Sequence, residues 1–218
     1  LLEAIAGLQQ TDSGSSIVYY PDDDRDSTAE QLIGKSPKDI RDMGVHLSFV
    51  PEDRLGMGLV GSLDMVDNML IRSYKNNKGP LVDRKTPKQV CDELIETLEI
   101  VTPGTSTPVR RLSGGNVQKV LLGREIHYNP KVLMVAYPVR GLDINSSFKI
   151  YDLLNEQKKK GVAVLFVGED LDVLMEISDR IMVLCGGAVS GIVDPRTATK
   201  EDVGLLMVHA GGEKEAKA

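Results

Sequence analysis

From residue 132 onward the chain alternates continuous apolar runs with amphipathic helical patterns, and few folds accept such a string. VLMVA at 132–136 precedes a helical pattern over 146–160, and VAVLFV at 162–167 precedes a second over 171–178. Short runs that are apolar at every position predict strands buried on both faces, which means a parallel sheet covered by helices and an α/β fold. Ligands of such sheets sit beyond the carboxyl ends of the strands. The segments after Val50, Val135 and Val167 are therefore where chemistry is expected.

The remaining segments fit around that core. VHLSFV at 45–50 reads as a further strand, followed by Pro51 and a glycine-dotted polar loop to Gly61. Between 68 and 101 the pattern is helical, clearest from Thr86-Pro87, with Val90, Leu94 and Leu98 on one stripe and Cys91 and Ile95 beside it. Lys158, Lys159, Lys160 and Gly161 suit a helix C-terminus, with cations at the negative dipole end and glycine for the left-handed cap. RIMVL at 180–184, the Gly186-Gly187 turn and VSGIV at 189–193 predict a hairpin. The opening LLEAIAGL sets Leu1, Ile5 and Leu8 on one helical face with no capping residue before it, so the chain is expected to begin inside a helix, as a fragment would. The GGEKEAKA tail at 211–218 is expected to fray.

Composition narrows the partners. With 218 residues, 41% of them apolar, the chain suits one α/β domain with an appended subdomain. The 26 basic residues against 32 acidic ones give a net charge of −6, and no long basic block is present to neutralise a phosphate backbone, so nucleic acid is not an expected partner. Cys91 and Cys185 stand alone, as do His46, His127 and His209, which excludes metal-ligand spacing and fits reduced thiols. No apolar run approaches the roughly 18–20 residues that cross a bilayer, and no secretory leader is visible.

LSGGNVQK at 112–119 stands directly before an apolar helical pattern carrying Val117, Val120 and Leu121. A serine and two glycines at a helix start leave backbone N–H groups unpaired at the positive dipole end, and Ser113 adds a hydroxyl; such a start can hold a phosphate, or it can simply be a capped terminus. The surrounding order decides. The string resembles the signature motif of ATP-binding-cassette (ABC) proteins; after it come the VLMVA strand, Pro138 and Gly141-Leu142-Asp143, similar to the Walker B strand and D-loop of that family. SFVPEDR at 48–54 resembles the Q-loop of sugar and nucleoside import ATPases, with Glu52 at the glutamine position, and the opening LLEAIAGL resembles the helix after the Walker A loop. With TKEDVGLLM at 199–207, the set resembles the second cassette of double-cassette importers for ribose, galactose, xylose or nucleosides.

That resemblance implies a P-loop NTPase of ABC type. A RecA-like core with an antiparallel β edge would span 1–60 and 120–210, and a helical signature subdomain 61–119. It implies ATP and Mg²⁺ in the full assembled transporter, with Ser113, Gly114, Gly115, Asn116 and Gln118 meeting ATP in trans and Gly141, Leu142 and Asp143 forming the D-loop. The implied partners are the first ABC cassette, in the same polypeptide or as dimer partner, the transmembrane permease subunits and, indirectly, an extracytoplasmic solute-binding protein. The implied location is the cytoplasmic face of the membrane. The segment 61–109 is expected to face the permease; Met65, Met69 and Leu70 are candidate contacts, with core packing the more usual role for any one such residue.

The sequence departs from that pattern where hydrolysis needs it. No GxxxxGK(S/T) string occurs, since Gly34-Lys35-Ser36 lacks the upstream glycine and runs into Pro37. Where the family has Asp then Glu before Pro, this chain has Ala136 and Tyr137, which offer neither a metal ligand nor a base, and Glu169 stands at the switch-histidine position. The expectation is a division of labour. This chain lends its signature to an ATP held by the other cassette, its own site is degenerate, and alone it binds no nucleotide tightly and is inactive. The competing expectations are a non-hydrolytic regulatory or scaffolding module on the membrane subunit, or a non-transport ABC ATPase.

Overall fold

In the computed structural model, residues 1–20, 29–42, 47–74 and 82–208 are described. They fall into two units, Leu1–Val167 and the segment from Gly168 onward.

The first unit is built on a parallel sheet of β3 (Leu47–Val50), β4 (Val132–Ala136) and β5 (Ala163–Val167), with β4 central. Leu47 pairs with Val132, and Val132 with Ala163, which keeps all three strands in step. β4 behaves as its uninterrupted apolar run predicts: Leu133, Met134 and Val135 are fully buried, so both faces are covered. β5 differs. Val164 and Phe166 pack into the core while Leu165 stays 42% exposed, so an equally apolar run alternates here. Two short strands, β1 (Val18–Tyr19) and β2 (Glu30–Gln31), form a separate antiparallel pair, after the short α1 (Leu2–Ile5); α2 (Pro37–Asp42) follows them.

The helices form because their ends are capped. In α3 (Met65–Ser73) the Asp64 carboxylate accepts from the Asp67 N–H at 2.8 Å. Before α4 (Lys85–Thr97), Asp83 accepts from the N–H of Lys85 and the hydroxyl of Thr86, which starts the helix one residue ahead of the expected Thr86-Pro87. Of the candidate docking contacts, Met65 and Met69 take the core-packing alternative, at 0% and 2% exposure beside Val90 and Cys91, and only Leu70 is partly exposed. Asn68, also buried, ties the loop to α3, accepting from the Val60 N–H at 2.8 Å and donating to the Asp64 carbonyl at 2.9 Å.

The long α5 (Gly114–His127) runs through the middle of this packing, with every residue from Val117 to Glu125 buried. α4 comes close to it at Gly123, where a Cβ would lie 2.9 Å from Leu98 Cδ1 and 3.0 Å from Leu94 Cδ2, so a larger residue would push these leucine ends aside. Between β4 and β5 lies α6 (Ile144–Lys159), which ends as expected on Lys160 and on Gly161 at φ +85°.

The second unit contains α7 (Leu171–Ile177), a β6–β7 hairpin (Ile181–Cys185 with Ala188–Val193) and α8 (Lys200–Val208). Its own small core is Ile181, Val183 and Val203, with Leu171, Leu174 and Leu206 packed on it. The hairpin turns at Gly186 and Gly187, both at positive φ, as the sequence predicts. The 211–218 tail and residues 45–46 of the expected first strand lie outside the described residues.

Candidate functional site

The start of α5 is held rigid by its own side chains. Ser113 is the N-cap, and its hydroxyl oxygen accepts from the Asn116 N–H at 3.4 Å and from Asn116 Nδ2 at 2.9 Å. Asn116 is fixed from the other side by the Val101 N–H, which donates to its Oδ1 at 2.9 Å. Because the Ser113 oxygen accepts both bonds, its own proton remains available to a ligand. The N–H groups of Gly114 and Gly115 find no acceptor among the described residues. Ser113 and Gly114 are exposed.

The segment after β4 packs against this start. Gly141, at φ +70°, turns the chain; Leu142 packs on the core; and Asp143 caps α6, accepting from the Ser146 N–H at 2.9 Å and the Ser146 hydroxyl at 2.7 Å. Those bonds, the hydroxyl first, hold the Asp143 carboxyl below the usual carboxylate range. A Cβ on Gly115 would sit 3.2 Å from Ser146 Oγ, so the second glycine is what lets α5 and α6 begin side by side.

At the end of β4, Ala136 presents only a methyl group and Tyr137 takes a left-handed backbone at φ +47°, with its N–H donating to the Val167 carbonyl at 2.8 Å. A non-glycine residue there is strained, which marks a position the surroundings hold in place. The Arg140 guanidinium stacks 5.9 Å from the Tyr137 ring and pairs with Glu52. Arg54, the first residue of a single π-helical turn (Arg54–Gly58), donates to the Arg140 carbonyl. The loop after β3 and the loop after β4 are thus fastened together. A Mg²⁺ ion does not fit here: the two positions at the strand end carry no carboxylate and Glu52 is already paired with a cation. Among the described residues no cluster of His, Cys, Asp and Glu could hold a metal ion, and no helix is long and apolar enough to cross a membrane.

Gln118 departs from expectation. It is 0% exposed, with both amide atoms unpaired, so it lies behind the Ser113–Asn116 turn and not on its surface. Glu169 is exposed and belongs to the second unit, next to Asp170, which caps α7. The buried ionic cluster on α5 carried no sequence signal: Glu125 accepts from Arg72 at 2.8 Å and Arg124 at 2.9 Å, and Arg124 reaches the Gly58 carbonyl at 2.7 Å. A cavity of about 330 Å³ lined by Met69, Tyr74, Pro87, Val90 and His127 lies at the far end of α5, some 20 Å along the helix from Ser113 at ~1.5 Å per residue.

No family model matches the chain. It is 34% identical over 206 residues to the galactose/methyl galactoside import ATP-binding protein MglA of Salmonella typhimurium, covering 93% of this chain and 38% of that protein. It is 34% identical over 222 residues to the guanosine import ATP-binding protein NupO of Bacillus subtilis, covering 100% and 41%. To the nucleoside import ATP-binding protein NupA of Lactococcus lactis it is 35% identical over 211 residues, covering 95% and 40%. The chain spans less than half the length of these curated relatives. Among solved structures, a dimeric ATP-binding cassette in a post-hydrolysis state bound to ADP and Pi matches with a TM-score of 0.72 at 20% identity, covering 90% of this chain and 80% of that one. A nucleotide-free ATP-binding cassette from an ABC transporter matches with a TM-score of 0.67 at 20% identity, covering 94% and 77%. At such identities the likeness to solved structures is one of fold.

Proposed function

We propose, from the premise that this chain is a homologue of the sugar and nucleoside import ATP-binding proteins with the P-loop NTPase fold of an ABC cassette, that it supplies the signature face of a composite ATP site in an importer. The observation that carries this reading is a contrast within the first unit. The Ser113-Gly114-Gly115-Asn116 turn, exposed at Ser113 and Gly114, is capped and braced with unpaired donors, whereas the end of β4, at Ala136 and Tyr137, has no acid to bind Mg²⁺ or direct water.

In this reading the terminal phosphate of an ATP bound on a facing cassette meets the Ser113 hydroxyl and the N–H groups of Gly114 and Gly115, aided by the dipole of α5. These donors are fixed before the nucleotide arrives, so they stabilise charge that develops on the phosphate without reorganising. The Asp143–Ser146 cap holds the neighbouring α6 against them. The facing cassette would bring the phosphate-binding loop, the Mg²⁺ carboxylate and the water-directing group. The partners proposed are that cassette and the transmembrane permease subunits, through which the chain would sit at the inner membrane face; a simple sugar or a nucleoside is the proposed cargo class.

The test is steady-state ATP hydrolysis by the assembled importer. Ser113→Ala removes one preorganised donor and is expected to cost about a hundredfold in turnover, by about 3 kcal/mol of transition-state stabilisation. Tyr137→Phe and Glu169→His are expected to leave turnover within about twofold, a few tenths of a kcal/mol. Normal turnover in Ser113→Ala together with loss in Tyr137→Phe would reverse the assignment.

A further inference from the structure

Arg54, beside the turn that opens α5, carries a charge that no carboxylate among the described residues answers. It is half-buried, and its Nη2 donates to the Arg140 carbonyl. Glu52 is taken by Arg140, and the Asp53 carboxylate accepts from the Gly56 N–H at 2.8 Å. Burial alone pulls the Arg54 guanidinium below its usual range, with no neighbouring anion to offset it. An arginine this high in intrinsic basicity still carries its charge at neutral pH, so the fold holds a partly desolvated cation without a counter-ion.

Its place is specific. A Cβ built on Gly114 would lie 3.3 Å from Arg54 Nη1, so the guanidinium edge faces the first glycine of the turn. One helical turn along the same stripe of α5 lies Gln118, fully buried with both amide atoms unpaired, a second polar group in this region that the fold does not satisfy. A capped helix start needs neither feature.

We infer that Arg54 is a phosphate-binding residue of the signature site, its free guanidinium edge joining Ser113, Gly114 and Gly115 around the terminal phosphate of a nucleoside triphosphate. This rests on the reading of the signature given above and adds to it a charged group from the loop after β3. An ionised donor makes shorter and stronger bonds to phosphate oxygens than the neutral donors of the turn, and the fork can engage two oxygens at once. The Arg140 carbonyl orients that fork, so the bond between the two loops acquires a role: it aims the cation at Gly114.

The test uses the 218-residue chain and inorganic phosphate as the probe, at ionic strength held constant with chloride. Backbone and Arg side-chain N–H resonances are followed by NMR. Phosphate is expected to shift the Gly114, Gly115 and Asn116 amides and the Arg54 Nε–H along one saturation curve. Arg54→Gln is expected to raise the Kd at least fivefold and Arg54→Lys by a smaller factor, since the charge remains without the fork. Ser113→Ala, which leaves Arg54 in place, should also weaken binding. If Ser113→Ala weakens binding while both Arg54 variants bind as the parent does, the Arg54 inference falls and the signature reading stands. If phosphate shifts the Arg54 resonance but not the glycine amides, or shifts none of them, the joint site is overturned, while the hydrolysis test on Ser113 still decides the signature reading separately. Should Arg54→Gln lose its dispersed spectrum, Arg54→Lys against the parent decides.

Discussion

Glu52 is ion-paired to Arg140, across 88 residues of sequence, and this contact joins the segment leaving β3 to the segment leaving β4. Both side chains are about half exposed, so water competes for each of them. A double-mutant cycle of Glu52→Gln and Arg140→Ala is expected to give a coupling energy below about 1 kcal/mol, falling further as salt is raised. Urea unfolding of the four proteins measures it. A coupling that is large and insensitive to salt would mean the pair is shielded from solvent.

Glu125 presents the opposite case. Its carboxylate is 2% exposed and answers both Arg72 and Arg124, the latter 8% exposed. Glu125→Ala strands a buried guanidinium and is expected to cost about 3–5 kcal/mol, read from the urea midpoint at constant m. Arg72→Ala, at the more exposed end, is expected to cost less. Equal costs for the two would contradict the burial gradient.

Gln118 offers a gain in stability. Replacing a buried amide whose two polar atoms lack partners by Leu, of similar volume, removes a desolvation penalty of about 1–3 kcal/mol. The melting temperature of Gln118→Leu should therefore rise or hold. A clear fall would show that the amide is satisfied in solution.

Cys91 and Cys185 should differ in reactivity. Cys91 is fully buried, and burial first, with Asp64 and Asp92 adding to it, pushes its thiol up to about 12, whereas Cys185 is partly exposed. Thiolate is the reacting form, so at pH 8 an aromatic disulfide reagent should label Cys185 in the native protein and Cys91 only after unfolding. Native labelling of Cys91 at a matching rate would mean that the packing of α3 against α4 opens freely.

Strand-forming runs were the most readable part of the sequence, because a run apolar at every position leaves few alternatives: VLMVA is β4 residue for residue, and the Gly161 cap falls where the lysine run ends. The capped start of α5 was readable for a similar reason, since Ser-Gly-Gly-Asn before an apolar helix has few local solutions. The burial of α5 all round was not readable. The helix carries Gln118, Lys119, Arg124 and Glu125, polar residues that usually face water, yet elements distant in sequence enclose it. Met65 and Met69 show the same gap: periodicity shows that a helix has an apolar stripe, which for these two left core packing and a partner contact both open, and only tertiary contact shows that the stripe meets its own core. Arg54 gave no signal at all, because its relation to Gly114 depends on a turn that closes only when the β3 loop meets α5.

That turn also sets what can be exchanged between homologous cassettes. The Asp53 carbonyl accepts from both Met57 and Gly58 at 3.2 Å, and a Cβ on Gly58 would lie 2.7 Å from Leu121 Cδ2, so the loop is moulded to one particular side chain of the signature helix. Recombination with a breakpoint between residues 58 and 114 would hand that side chain a loop shaped for another. Viable chimaeras should therefore inherit the two segments from one parent, whatever the origin of the helices threaded between them.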